Sequence, residues 1–167
     1  MLVTQTPTFL IKPIEDRDIR PLGEFLESQD LGYPSYETWV RKTCLPELYF
    51  GQKQGVCAIV NNAIVADVIF QCHEQLEGTL EIKNLRVNPR LRRTDIAHFL
   101  MKQAENCALQ TGYKDLIADF RAGKNYSPGL LTFLLFCGYR VLFKAELYPG
   151  GIDYVVGKRL QPRPIQA

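Results

Sequence analysis

The stretch LRVNPRLRRTDIAHFLMKQAENCALQTG, residues 85–112, joins a strand to a long helix through a turn dense in arginine. Upstream of the turn, LEIKNLRV at 80–87 is β-branched and partly alternating, as a strand requires, and Pro89 ends the ladder because it has no N–H to donate. Downstream, Ile96, Ala97, Leu100, Met101, Ala104, Cys107 and Ala108 recur at steps of three and four, which predicts one helix buried along a single face. Thr94 or Asp95 can cap its start, and Gly112 stands where a left-handed residue would close it. The first turn of such a helix has unpaired N–H groups and the positive end of the macrodipole. With Arg92 and Arg93 beside it, the turn reads as a site for an anion such as phosphate.

Outward from this segment, the chain alternates strand and helix signals. Residues 8–14 read as a strand, followed by a helix capped at Asp16 or Asp18 that places Ile19, Leu22, Phe25 and Leu26 on one face. A second helix is predicted over 36–44, broken at Pro46. The apolar runs 56–60 and 63–70 are separated by Asn61-Asn62, a pair that tolerates the positive φ of a tight hairpin. Beyond Gly112, residues 116–120 form the next strand candidate, interrupted only by Asp119. Ser127-Pro128 signals the cap and first residue of a short helix that stops at Gly138 and, being apolar nearly all round, is expected to be largely buried. Residues 139–144 and 152–158 read as two last strands around a Pro149-Gly150-Gly151 turn, and RLQPRPIQA at 159–167 as a tail.

Composition narrows the class. A chain of 167 residues with 46% hydrophobic and 23% charged residues is expected to form one soluble domain. No apolar run approaches the roughly 18 residues of a membrane helix, and MLVTQTPTFLIKP lacks the pattern of a signal peptide, so a cytoplasmic protein with no membrane partner is expected. Five scattered cysteines (Cys44, Cys57, Cys72, Cys107, Cys137) without a C-x-x-C pair imply neither a disulfide frame nor a zinc site, and with two histidines no metal is expected. Most of the thiols should be buried small hydrophobes. A net charge of +2 makes no case for nucleic acid, although a binding module using the basic run 86–93 is one reading of the arginines. A homodimer stays open.

The spacing of Val87, Pro89, Arg92, Ile96, Ala97 and Leu100, V-x-P-x-x-R-x-x-x-I-A-x-x-L, resembles the acetyl-CoA-binding motif of the GNAT superfamily of N-acetyltransferases, with RRTDIA at 92–97 as its core. Asp95 stands where that family has glycine. The order of elements is similar over nearly the whole chain. The resemblance implies an α/β (α+β) fold: a single GNAT-like domain over 1–158, with a twisted, mixed, mostly antiparallel sheet of about six to seven strands and flanking helices. It implies an acyltransferase using acetyl-CoA as acyl donor, with an unidentified amine attacking the thioester directly. A GNAT-fold protein that binds CoA or another ligand without catalysis is the alternative.

Site residues follow from the same resemblance. The backbones of Leu85, Arg86 and Val87 would hold the thioester, and Arg92, Arg93, Thr94, Asp95, Ile96 and Ala97 would cradle the pyrophosphate. Glu81, on the same strand, is the candidate base, its plain reading being an outward glutamate paired with Lys83. Counting back four residues from Gly138 to the family's tyrosine acid gives Leu134, so Tyr126 is the candidate acid, with Tyr139 and Tyr148 as substitutes. Ser127 takes the place of the asparagine that commonly opens the last helix, unless an insertion lets Asn125 fill it, and is a further cofactor-binding candidate. His73 and His98 are expected to be solvated.

Overall fold

A computed structural model describes residues 8–29 and 32–161. The described residues contain seven strands, β1 (Leu10–Pro13), β2 (Gln54–Val60), β3 (Ala63–Cys72), β4 (Thr79–Val87), β5 (Asp115–Arg121), β6 (Arg140–Ala145) and β7 (Asp153–Arg159), hydrogen-bonded in the order β1-β2-β3-β4-β5-β7-β6. The β1–β2, β2–β3, β5–β7 and β6–β7 pairs are antiparallel, while β4 and β5 are parallel. This is the mixed, mostly antiparallel sheet that the sequence predicts. The helices are α1 (Ile19–Glu27), α2 (Tyr36–Trp39), α3 (Leu45–Tyr49), α4 (Ile96–Gln110) and α5 (Ser127–Phe136). None is long and apolar enough to cross a membrane.

Contacts divide the chain into two compact units, Met1–Gln71 with Asn84–Ala104 and Cys72–Lys83 with Glu105–Ala167. In the first unit, α1 buries Leu22, Phe25 and Leu26 at i, i+3 and i+4 in a cluster with Tyr36, Val40, Cys44 and Ile69. The hairpin between β2 and β3 turns on Asn61 (φ 49°) and Asn62 (φ 63°), the left-handed pair expected there. Gly55 is required by close approach, because a Cβ there would lie 2.6 Å from Ile14 Cδ1 and 2.9 Å from the Val68 carbonyl.

Pro46 does not break the helix as the sequence reading expects. Residues Val40–Cys44 form a π-turn in which the Leu45 N–H donates to the Val40 carbonyl, and Pro46 falls in the first turn of α3, where a missing N–H costs nothing. A second expectation also needs correction. The apolar α5 is not largely buried: Leu134 is, but Leu135 is 48% and Phe136 80% exposed. Ser127 is its first helical residue and Tyr126 its N-cap, one position earlier than the Ser127 cap predicted. Arg159 closes β7, and buried Leu160 donates its N–H to the Lys114 carbonyl, so both expected tail residues are tied to the fold.

In the second unit, α4 presents Glu105 to the interior, where its carboxylate accepts from Lys158 Nζ at 2.7 Å; the same ammonium donates to the Cys137 carbonyl at 2.8 Å. Arg121 Nε and Asp153 Oδ1 form a buried pair at 2.9 Å that also ties down the β6–β7 loop through the Tyr148 carbonyl and the Leu147 N–H.

The first unit hides a costlier group. Asp67 on β3 is fully buried, accepts from Asn84 Nδ2 at 2.7 Å through Oδ2, and has no hydrogen-bond donor at Oδ1. Burial pushes its carboxyl up to about 7, against the opposing pull of the Asn84 bond and the Arg86 charge. The folded state therefore holds a proton that the unfolded chain releases near 3.8, and stability falls as pH rises between that value and about 7. Asp67→Asn should remove this slope and raise Tm above pH 7, by a free energy on the order of a few kcal/mol. Thermal melts of both proteins from pH 4 to 8 check it: two parallel Tm profiles would contradict the assignment.

Candidate functional site

The end of β4, the following turn and the start of α4 lie in the first unit. Along β4 the buried side chains are Leu80, Ile82, Asn84 and Arg86, while Glu81, Lys83, Leu85 and Val87 are half-buried and alternate with them. Arg86 thus leaves the basic run to which the sequence assigns it. Its guanidinium donates from Nε to Asn84 Oδ1 at 3.2 Å and from Nη1 to the Gln29 carbonyl, with Cζ 4.9 Å from the centre of the Tyr36 ring. A buried arginine spent in this way offers nothing to a polyanion, so the run 86–93 presents three exposed arginines, Arg90, Arg92 and Arg93, rather than four.

After Val87 the chain makes a one-turn 3-10 segment, Pro89–Leu91, capped by the Asn88 side chain, which accepts from the Arg90 N–H at 3.0 Å. The Thr94 hydroxyl donates back to the Leu91 carbonyl at 2.7 Å, which leaves the helix start to Asp95, whose carbonyl accepts from the Phe99 N–H at 3.0 Å. Arg92, Arg93 and Asp95 are exposed, Thr94 and Ala97 half-buried, and Ile96 is fully buried as the first anchor of the helix. Arg93 adopts a left-handed φ of 65°, and Asp95 does not. Replacing the family's glycine by Asp95 therefore costs no backbone strain at that position. It adds a Cβ and a negative charge at the start of the helix.

A second group of charges lies in the second unit. The β4–β5 ladder pairs Thr79, Leu80, Glu81 and Ile82 with Asp115, Leu116, Ile117 and Ala118, and the described pairs stop there. Lys83 and Asp119 are the first residues past its end, and each contributes to the electrostatic surroundings of the other. Lys83 Nζ donates to Glu81 Oε1 at 2.9 Å, which gives Glu81 the paired state of its plain reading. Burial opposes the charge on Lys83, but Glu81, with help from Tyr148 and Asp119, more than offsets it and keeps the ammonium above its usual range. Asp119 is shifted the other way for a carboxyl: burial raises it, Lys83 opposes, and Glu81 and Asp153 add to the rise. Tyr148, from the β6–β7 loop, has its hydroxyl pushed up by burial and then by the Asp119 charge, and stays protonated.

The candidates on α5 are placed differently. The Ser127 hydroxyl is buried, accepts from the Lys124 N–H at 3.0 Å and donates to the Arg121 carbonyl at 2.6 Å, so it braces the β5–α5 loop. Tyr126 is half-buried with its hydroxyl oxygen buried. Leu134 is core, 2% exposed, and its carbonyl accepts from the Tyr139 N–H in the turn that Gly138 (φ 88°) makes possible. Tyr139 is buried, which drives its hydroxyl strongly upward and removes it as a proton donor to a ligand. His73 Nδ1 caps a turn by accepting from the N–H groups of Gln75 and Leu76 at 3.1 and 3.0 Å. The described cysteines are free; burial pushes the thiols of Cys44 and Cys57 up to about 12 and about 11, which makes them inert.

Asp119 is the residue that sequence reasoning passed over, as a mere interruption of a strand. The one signal for it is parity: β5 has Asp119 two residues beyond Ile117, the partner of Glu81, and so on the face of Glu81 and Lys83.

No protein-family model matches the sequence, and no curated protein does. Solved structures do. A GNAT-family acetyltransferase from Staphylococcus aureus is similar at a TM-score of 0.73 with 13% identity, over 92% of this chain and 100% of that one. An IAA acetyltransferase from Bacillus cereus gives 0.69 with 17% identity over 92% and 100%, and PaiA N-acetyltransferase from Thermoplasma acidophilum, solved with coenzyme A, gives 0.67 with 12% identity over 91% and 99%. The chain has the GNAT fold, at low sequence identity to these acetyltransferases.

Proposed function

We propose that the protein is an acyl-CoA-dependent N-acyltransferase that moves acetyl from acetyl-CoA to an amine by direct attack. The observation that supports this reading most is the strand-turn-helix at 85–97, with Arg92 and Arg93 exposed beside the first turn of α4. In this reading Arg92, Arg93 and the N–H groups from Thr94 to Ala97 take the pyrophosphate, and the backbones of Leu85, Arg86 and Val87 take the thioester arm. The three exposed arginines supply charge and the helix start supplies direction. Acetyl-CoA, bound there as substrate, would contribute a reactive thioester carbonyl and a thiolate that leaves readily. Free thiols suit a reducing compartment, and a cytoplasmic location is part of the proposal.

A second reading is favoured by one residue. Asp95, exposed at the helix start, would repel a pyrophosphate, as expected of a GNAT-fold protein that binds a ligand without turning it over. A nucleic-acid module draws less support, since burial of Arg86 thins the basic run.

Calorimetric titration with acetyl-CoA separates these readings. Binding with thiol release in the presence of an amine is the expected result; no binding at millimolar ligand would sink the proposal. Asp95→Gly should tighten CoA roughly tenfold, about 1.4 kcal/mol, while costing the helix a few tenths. Unchanged affinity would place Asp95 outside the phosphate cradle. Arg92→Ala should weaken CoA about tenfold and leave pantetheine, which lacks the pyrophosphate, within twofold. Equal losses for the two ligands would refute a phosphate role for Arg92.

A further inference from the structure

The acyltransferase reading, on which this inference rests, requires a base, because an amine acceptor arrives largely as an ammonium and only its neutral form attacks. Two carboxylates stand on the same face at the end of the β4–β5 ladder. Glu81 is engaged by Lys83 at 2.9 Å, and taking a proton would cost it that ion pair. Asp119 sits one step beyond the last paired residue, Ala118, on the strand opposite Lys83, half-buried and therefore reachable. Groups facing it from neighbouring elements are Lys83 and Glu81 on β4, Asp153 on β7 and Tyr148 on the β6–β7 loop. Of these, Asp153 is committed to Arg121 and the Leu147 N–H, and Glu81 to Lys83. Asp119 is the carboxylate of this group without a described ion pair.

We propose that Asp119 is the catalytic base, and that the Glu81–Lys83 pair beside it is a positioning device that fixes Lys83 near the Asp119 carboxylate. The Asp119 carboxylate removes one proton from the acceptor ammonium. The neutral nitrogen forms a C–N bond to the thioester carbonyl carbon, and the C–S bond breaks with its electron pair on sulfur. The second proton of the attacking nitrogen passes to the thiolate, giving free CoA, and Asp119 returns its own proton to solvent. Burial raises the Asp119 carboxyl and makes it a stronger base than an exposed one, while Lys83 opposes that rise and favours the ionised form. The acceptor class that follows is a primary amine protonated at neutral pH, drawn in by a negatively biased face.

The test uses the full chain with acetyl-CoA as donor and glycinamide as probe amine, following thiol release against pH. Asp119→Asn should lower kcat a hundredfold or more while acetyl-CoA binding by calorimetry stays within twofold; Asp119→Glu should recover part of the loss. The wild-type profile should show an acidic limb above the ordinary carboxylate range that Asp119→Asn abolishes. Glu81→Gln should lose tenfold or less. Asp119→Asn with kcat within threefold of wild type, or Glu81→Gln losing more than Asp119→Asn, overturns the proposal while leaving the acyltransferase reading intact. A carbon-13 titration of the Asp119 carboxyl, with and without saturating acetyl-CoA, reads the same group without turnover. An elevated value that moves on binding supports the assignment, and an ordinary, unmoved one overturns it. If the wild-type protein neither binds acetyl-CoA nor releases thiol, the acyltransferase reading itself fails and Asp119 falls with it.

Discussion

A parallel ladder of four residue pairs, Thr79–Ile82 against Asp115–Ala118, is the constraint on which the rest of the structure depends. Two parallel strands cannot be joined by a hairpin, so the chain between them must leave the sheet and return as a crossover. That crossover is α4, which is why the longest helix follows the strand immediately and why an arginine-rich turn lies where it does. The same ladder ends early. Lys83 and Asp119, the first residues past its end, share one face in partial burial rather than in a packed core.

The polar interior of the first unit follows from β4 continuing beyond that ladder. Its buried face runs Leu80, Ile82, Asn84, Arg86, apolar and then polar, and the polar half has to be answered from neighbouring elements. Asp67 answers Asn84, Gln29 and Tyr36 answer Arg86, and the result is a polar cluster held inside the fold at a pH-dependent cost. Burial alone would raise the Asp67 carboxyl further; the Asn84 bond and the Arg86 charge pull against that rise. A guanidinium near Asp67 thus serves the fold, although in the sequence Arg86 is indistinguishable from the arginines of the turn.

Residues that speak through local geometry were legible. Asn61-Asn62 announced the hairpin, Gly138 the end of α5, and the three-and-four spacing from Ile96 to Ala108 the buried face of α4, because turns and periodicities are properties of a few consecutive residues. Pro46 misled because a π-turn, which no short pattern encodes, moved it into a permissive position. Phe136 misled because an apolar residue implies burial only on average; at 80% exposure it belongs to the apolar surface that every protein retains. The pairing of Glu81 with Lys83 was legible, since the two lie two residues apart on one strand face. The placement of Asp119 beside them was out of reach, since it depends on the register between strands more than thirty residues apart, and a slip of one residue would send it to the opposite face.

Asp95 shows how far a single substitution can be weighed from geometry. In the family pattern a glycine at this point serves two purposes, backbone freedom and space. Only the second is at issue here, because the left-handed residue of the turn is Arg93, and arginine bears the strain of about 1–2 kcal/mol that glycine would avoid. As the residue that opens α4, aspartate places a negative charge at the positive end of the helix, a favourable contact of a few tenths to about 1 kcal/mol. Against a phosphate at 4 Å it costs on the order of 1–4 kcal/mol, depending on how much water remains. In the proposed site Arg92 and Arg93 would offer two opposing charges, so that Asp95 would weaken anion binding there and not abolish it. The left-handed turn at Arg93 leaves an exposed cation beside the helix start, and this is what supports the proposed anion site in spite of Asp95.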